Sequence, residues 1–350
     1  MNKTFFSILF LLLSATAYAD TGLEIVAAGD LVYSQSLNDD SGANEKLAAR
    51  GAEVMLFAPI DHIWDGVFSL AAHDEGGSTN FEVHELYVST SKLIDGSRFK
   101  IGQFFLGIGR LNRSHQHDWP FTRAPKVHRD FLAEEAVFDA GVEWGTLLPT
   151  EFYLDLTVGV TSGHRFGHVH SSGTKPKTPT HYMRLATFVD FTRGSGLEIG
   201  STYLGRNNSQ GEKMQIVGLD TTFKWREGKL VKWLVSSEMM YRKLDFAGAS
   251  SEEELGFYLF GERGWTPAFR TGMRLDSLKN FSERNLLQKK VNNIHWGATL
   301  QSSYQTSEFF KTRLSISHEF RRVEGLTQDK DTRAQLQFVF IIGAHPAHDF

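Results

Sequence analysis

The chain has 350 residues, no cysteine, 37 Lys and Arg against 41 Asp and Glu, and a mean hydropathy of −0.27. Without cysteine there is no disulfide framework and no thiolate metal site, and a formal charge of −4 gives no support to nucleic-acid binding. Beyond the first nineteen residues no run of eighteen apolar residues occurs, so a spanning helix is excluded.

Residues 1–19 have the three parts of a cleavable export signal: Lys3, an apolar run from Phe5 to Leu13, and Ala17-Tyr18-Ala19 as a small-x-small cleavage site. The mature chain, 20–350, then reads as a single domain of alternating apolar and polar residues. From Phe152 to Thr161, the side chains of Phe152, Leu154, Leu156, Val158 and Val160 share one face, and those of Tyr153, Asp155, Thr157, Gly159 and Thr161 the other. The same split sets Ile294, Trp296, Ala298 and Leu300 against His295, Gly297, Thr299 and Gln301, and Leu314 and Ile316 against Arg313 and Ser315.

Applied along the chain, this period-2 test predicts about sixteen strands, near residues 23–34, 50–58, 65–74, 80–91, 98–107, 137–147, 151–161, 181–191, 195–205, 213–226, 230–243, 253–262, 266–275, 292–304, 308–319 and 332–342. The phase slips around His84 and Glu85, which suggests a bulge or a shifted register and leaves room for fourteen or eighteen strands. Joints alternate between short turns and longer loops, the signature of a transmembrane antiparallel β-barrel. Only helices and closed barrels satisfy every backbone polar group in a bilayer, so a low mean hydropathy with 28 Phe and 32 Gly fits the barrel. An even strand count puts both termini in the periplasm, and the protein in the outer membrane of a Gram-negative cell. Outer-membrane lipid and lipopolysaccharide, the barrel-insertion machinery and other copies of the chain are the expected partners. The closing residues up to Phe350 resemble an insertion signal, although Pro346 interrupts it.

The third long joint, about 108–135, is the longest. In length and place it resembles the third loop of general and substrate-selective porins, which folds into the barrel and narrows the pore. The stretch GRLNRSHQHDWPF from Gly109, with RAPKVHRDFLAEEAVFDAGVEWGTLLP ending at Pro149, resembles a family of porin-like outer-membrane proteins, some of which are named zinc-regulated receptors. APIDHIWDG at 58–66 and GAHPAH at 343–348 add weaker support. The resemblance implies a link to zinc supply. Energy-coupled transport through a plug does not carry over, because a plugged 22-strand barrel needs a much longer chain.

If the loop folds inward, Arg110, Arg113, Arg123, Lys126 and Arg129, facing Asp118, Asp130, Glu134 and Glu135, set a charged constriction. Lumen-phase strand positions lean basic, thirteen to seven, with Arg184, Arg270, Arg274, Lys311 and Arg313 among them, which predicts a preference for anions. His115, His117, His164, His168 and His170 fall in the third and fourth long joints and are candidate zinc ligands, the ion being cargo or loop ligand rather than a cofactor. No nucleophile–base–orienter motif is found, so an enzyme is not expected. The function expected is a passive channel for small hydrophilic solutes or ions; a non-conducting adhesin or structural barrel is the alternative, with an outer-membrane enzyme last.

Overall fold

A computed structural model describes residues 22–38, 46–75, 78–164, 166, 178–192, 194–207, 212–246, 251–282, 293–323 and 328–343. The expected export signal at 1–19, His168, His170 and the tail through Phe350 lie outside them. Sixteen antiparallel strands close into one barrel: β1 (Glu24–Ser36), β2 (Lys46–Pro59), β3 (Asp65–Glu75), β4 (Ser78–Thr90), β5 (Ser97–Phe105), β6 (Phe138–Leu147), β7 (Leu154–Thr161), β8 (Thr178–Thr192), β9 (Ser195–Asn207), β10 (Lys213–Glu227), β11 (Leu230–Asp245), β12 (Glu252–Gly264), β13 (Phe269–Asn280), β14 (Asn293–Ser307), β15 (Phe310–Val323) and β16 (Asp329–Ile342). Each pairs with its sequence neighbours and β1 closes on β16, leaving no open edge. All sixteen expected strands are present.

The period-2 reading holds in detail because alternate residues meet lipid and lumen. On β15, Leu314 and Ile316 are exposed on the outer face while Arg313 and Ser315 are buried inside; on β14, Trp296 and Leu300 are outward, and His295, Thr299 and Gln301 inward. The alternation of joint lengths is partial: the long-loop end carries the joints 37–45, 106–137, 162–177 and 281–292, but its joints 76–77, 208–212, 246–251 and 324–328 are no longer than the longest turns opposite, 91–96 and 148–153.

The phase slip has a physical cause. In the β3–β4 ladder Ser69 pairs with Glu85 and Leu70 with Val83, so His84 is the extra residue of a β-bulge. A bulge lets two consecutive side chains face the same way. Both His84 and Glu85 are buried inside the barrel. A second shift, where Asp30 pairs with Gly51 and Leu31 with Ala49, leaves Arg50 as the extra residue on β2 and turns it inward to Asp30 and the Thr122 carbonyl.

Residues 106–137 form loop 3, which folds into the barrel. It contains two single-turn 3-10 segments, Leu111–Arg113 and Gln116–Asp118, and a short helix α1 (Lys126–Phe131). Its Leu106, Ile108, Leu111, Trp119, Phe121, Val127 and Phe131 are buried against Tyr182, Leu204, Ile216, Met240, Tyr258, Phe260 and Leu278 of the wall. The barrel therefore has an apolar core of its own within the lumen, built between loop and wall.

Candidate pore constriction and histidine cluster

Loop 3 has little regular structure, so its backbone carbonyls need partners other than a ladder. The wall supplies them. Lys311 donates to the His117 carbonyl at 3.2 Å, Arg313 to Trp119 at 3.0 Å, Gln301 to Pro120 at 2.7 Å and Arg242 to Asp130 at 2.6 Å; Arg50 donates to Thr122 and Arg274 to Arg123. In return, wall acceptors hold loop N–H groups: Gly107 donates to Glu143 at 3.1 Å, Gly109 to Thr202 at 3.0 Å and Lys126 to Asp276 at 3.1 Å. The seat is shaped at Gly256, where a Cβ would lie 2.6 Å from Val127 Cγ2 of α1.

This changes the meaning of the five expected lumen-wall cations. Arg184 is buried between Glu198 and Asp220, at 2.7 and 2.6 Å. Arg274 is paired with Asp276 at 2.9 Å, and both it and Arg313, which also donates to Ser303 and Gln337 of the wall, give one donor to a loop carbonyl. Lys311 holds the loop too, while Arg270 faces Glu262 at 3.6 Å. The basic lean of the strand phases is also reduced, because Asp30, Glu53, Glu85, Asp139, Glu143, Glu254 and Glu262 are further carboxylates buried inside. Asp30, Glu53 and Glu85 sit on β1, β2 and β4 beside the two register shifts, whereas Asp139 and Glu143 on β6 and Glu254 and Glu262 on β12 keep the regular inward phase.

The nine expected constriction residues separate into groups. Arg110, Arg113 and Asp118 line a chamber of about 380 Å³ at the short-turn end, together with Lys224, Arg226, Glu262, Arg270, Lys311 and Arg313. Seven cations face two carboxylates there, so the local field is positive although the lumen as a whole is near balance. Arg113 also borders a second chamber of about 480 Å³, where Arg98, Lys100 and Arg184 meet Glu85, Glu143, Asp155 and Glu198. Arg123 and Arg129 converge instead on Glu319 of β15, at 3.1 and 2.6 Å, and Lys126 pairs with Asp130 at 2.8 Å along α1. Glu134 is exposed. Glu135 belongs to a different site.

That site lies where loop 3 meets β2, β3 and β4. His73, His84, His115 and His117 form a row of near-parallel rings, with centroids 5.0, 6.5 and 5.4 Å apart. Four carboxylates border it: Glu53 Oε1 is 3.0 Å from His115 Nδ1 and 3.4 Å from His84 Nδ1, Glu85 is 3.1 Å from His115 Nε2, Glu135 is 3.0 Å from His73 Nδ1, and Asp118 is 3.5 Å from His117 Nε2. Burial opposes the charging of His115, but Glu53 and Glu85 override it and hold its pKa well above the usual histidine value. His128, buried in α1 without a carboxylate, is pushed down to about 4 by burial alone.

Of the expected zinc ligands, His115 and His117 are thus in a cluster. His164 is exposed just beyond β7, its N–H on the Ser162 hydroxyl at 3.3 Å, and takes no part in it. The cluster's other members, His73, His84, Glu53, Glu85 and Glu135, were not singled out as ligands. The usable signal was the slip at His84–Glu85, which marks the bulge that turns both side chains inward.

Solved structures similar to this barrel include the outer-membrane channel DcaP of Acinetobacter baumannii (TM-score 0.63, 12% identity, 93% of this chain and 99% of that one). The anion-selective porin of Comamonas acidovorans matches with TM-score 0.61 and 8% identity over 91% and 99%, and Salmonella typhi OmpF with 0.58 and 10% over 93% and 99%. The fold is that of the outer-membrane porins. No family model matches the sequence. An uncharacterized protein of Aquifex aeolicus is 27% identical over 343 residues, spanning 90% of this chain and 71% of that one.

Proposed function

We propose that the protein is a passive channel for small hydrophilic solutes, with a preference for anions set beneath loop 3. The observation that carries this reading is the basic chamber, where Arg110, Arg113, Lys224, Arg226, Arg270, Lys311 and Arg313 outnumber Asp118 and Glu262. A narrow throat with low-dielectric walls focuses such a field on any solute that enters. The export signal before Asp20 and the even strand count support an orientation with the short turns and both termini in the periplasm, and copies of the chain and lipopolysaccharide are its proposed neighbours. The test is the reversal potential across a planar bilayer under a KCl gradient at low salt. Wild type should favour chloride, and Arg226→Glu with Arg270→Glu should shift the potential toward potassium. A wild-type preference for potassium, or no shift on charge reversal, overturns the reading.

A second reading has its own support: loop 3 is packed by an apolar core rather than tethered in water, as a non-conducting barrel would require. Absence of conductance from a folded wild-type barrel selects it. A role in zinc supply is the narrower form of the channel reading, supported by the imidazole row; it requires that cells lacking the gene grow poorly under zinc starvation and normally otherwise.

A further inference from the structure

We propose that Glu53, His84 and His115 bind one divalent transition-metal ion of the zinc class, which staples loop 3 to the barrel wall. Their donor atoms lie within 4.8 Å of one another. Zinc bonds to imidazole and carboxylate are about 2.0–2.1 Å, so tetrahedral donors stand about 3.3 Å apart. Glu53 Oε1 is already 3.4 Å from His84 Nδ1 and 3.0 Å from His115 Nδ1. Small side-chain movements would suffice.

The outer nitrogens are oriented as metal-bound imidazoles require, since a ligating histidine donates its other N–H to a carboxylate or a comparable acceptor. His115 Nε2 faces Glu85 at 3.1 Å; His84 Nε2 faces His73 Nε2 at 3.0 Å and Glu135 at 3.6 Å. Ser69 donates its hydroxyl to Glu53 and fixes that carboxylate. The cluster lines a cavity of about 30 Å³, enough for an ion and a water but too small for a travelling solute. Imidazole with carboxylate suits zinc and its neighbours rather than calcium or magnesium, which take oxygen ligands.

Two of the three donors come from the wall, Glu53 on β2 and His84 at the β4 bulge, and the third from the loop. The ion therefore links loop to barrel. The inference is independent of conductance, because binding is measured on the folded barrel whether or not it forms a pore.

The experiment uses the full-length, tag-free barrel, stripped with a chelator and titrated with zinc, and with cobalt as a spectroscopic probe. One equivalent should bind at micromolar affinity or tighter, and cobalt should show the intense visible bands of tetrahedral coordination. Glu53→Gln and His115→Gln should each weaken zinc at least tenfold, while His164→Gln leaves it unchanged. His115 lies in the loop, so the barrel should survive its replacement, which heat-modifiable mobility on a gel checks. No saturable binding by the folded wild type overturns the proposal. So does binding that survives Glu53→Gln with His115→Gln but is lost on replacing His73 and Glu135, which would move the ion to the neighbouring triplet.

Discussion

Replacing Phe121 with alanine removes a fully buried aromatic contact between loop 3 and the wall. The ring packs edge-on to Tyr258 and Phe260, with centroids 5.7 and 5.5 Å away, and lies beneath the Arg274 guanidinium at 4.6 Å. It is 1% exposed, and its partners are wall side chains rather than ladder groups, so the cavity left behind weakens docking and spares the barrel. A buried Phe→Ala change costs about 3–5 kcal/mol, which lowers the ratio of docked to undocked loop by about a hundred- to several-thousand-fold. Trypsin reads that ratio when opening and closing outpace cleavage, and Arg110, Arg113, Arg123, Lys126 and Arg129 are its targets in the loop. Cleavage at these sites in the folded barrel should therefore accelerate at least a hundred-fold. Acceleration below tenfold, with the gel mobility of an intact barrel, would refute the view that apolar packing holds loop 3 in the lumen.

Two further predictions bear on the same docking. Gly256→Ala forces a Cβ to 2.6 Å from Val127 Cγ2 and should raise tryptic cleavage at Lys126 and Arg129 by about five- to a hundred-fold, from about 1–3 kcal/mol of overpacking; adding Val127→Ala should recover most of it. For His128, the folded pKa of about 4 lies below the unfolded value, so its contribution to docking is complete above about pH 6.5 and is lost as pH falls toward 4. Between pH 7 and 5 this amounts to about 2 kcal/mol, seen as loss of amide-exchange protection in the loop relative to the matched His128→Gln variant; equal losses in the two would refute it.

The barrel was legible because lipid and lumen impose opposite demands on alternate residues, and a strand such as β15 records both. Loop 3's place inside was legible from its length and order. Its mode of attachment was not. Trp119, Phe121, Val127 and Phe131 have no periodicity to mark them as a core, and their wall partners, such as Tyr258 and Leu204, read as isolated breaks in a polar phase. Cations whose spacing suggested a free lumen surface prove to be hydrogen-bond donors for an irregular backbone, a pairing across 112 to 194 residues of sequence for Arg242 and Arg313. The histidine cluster was half visible: His115 and His117 stand out in the loop, but their partners on the wall depend on the His84 bulge, whose side chain turns inward only once β3 and β4 are paired.

The most direct test of the account is single-channel conductance with and without the throat. Excising Arg113 through Phe131, closed by a short glycine linker, removes Trp119, Phe121, α1 and Arg113, the cation that borders both chambers, but leaves all sixteen strands. The account predicts that this barrel conducts several-fold more current than wild type and loses part of its chloride preference. Conductance and selectivity equal to those of wild type, in a barrel shown to be folded, would contradict it.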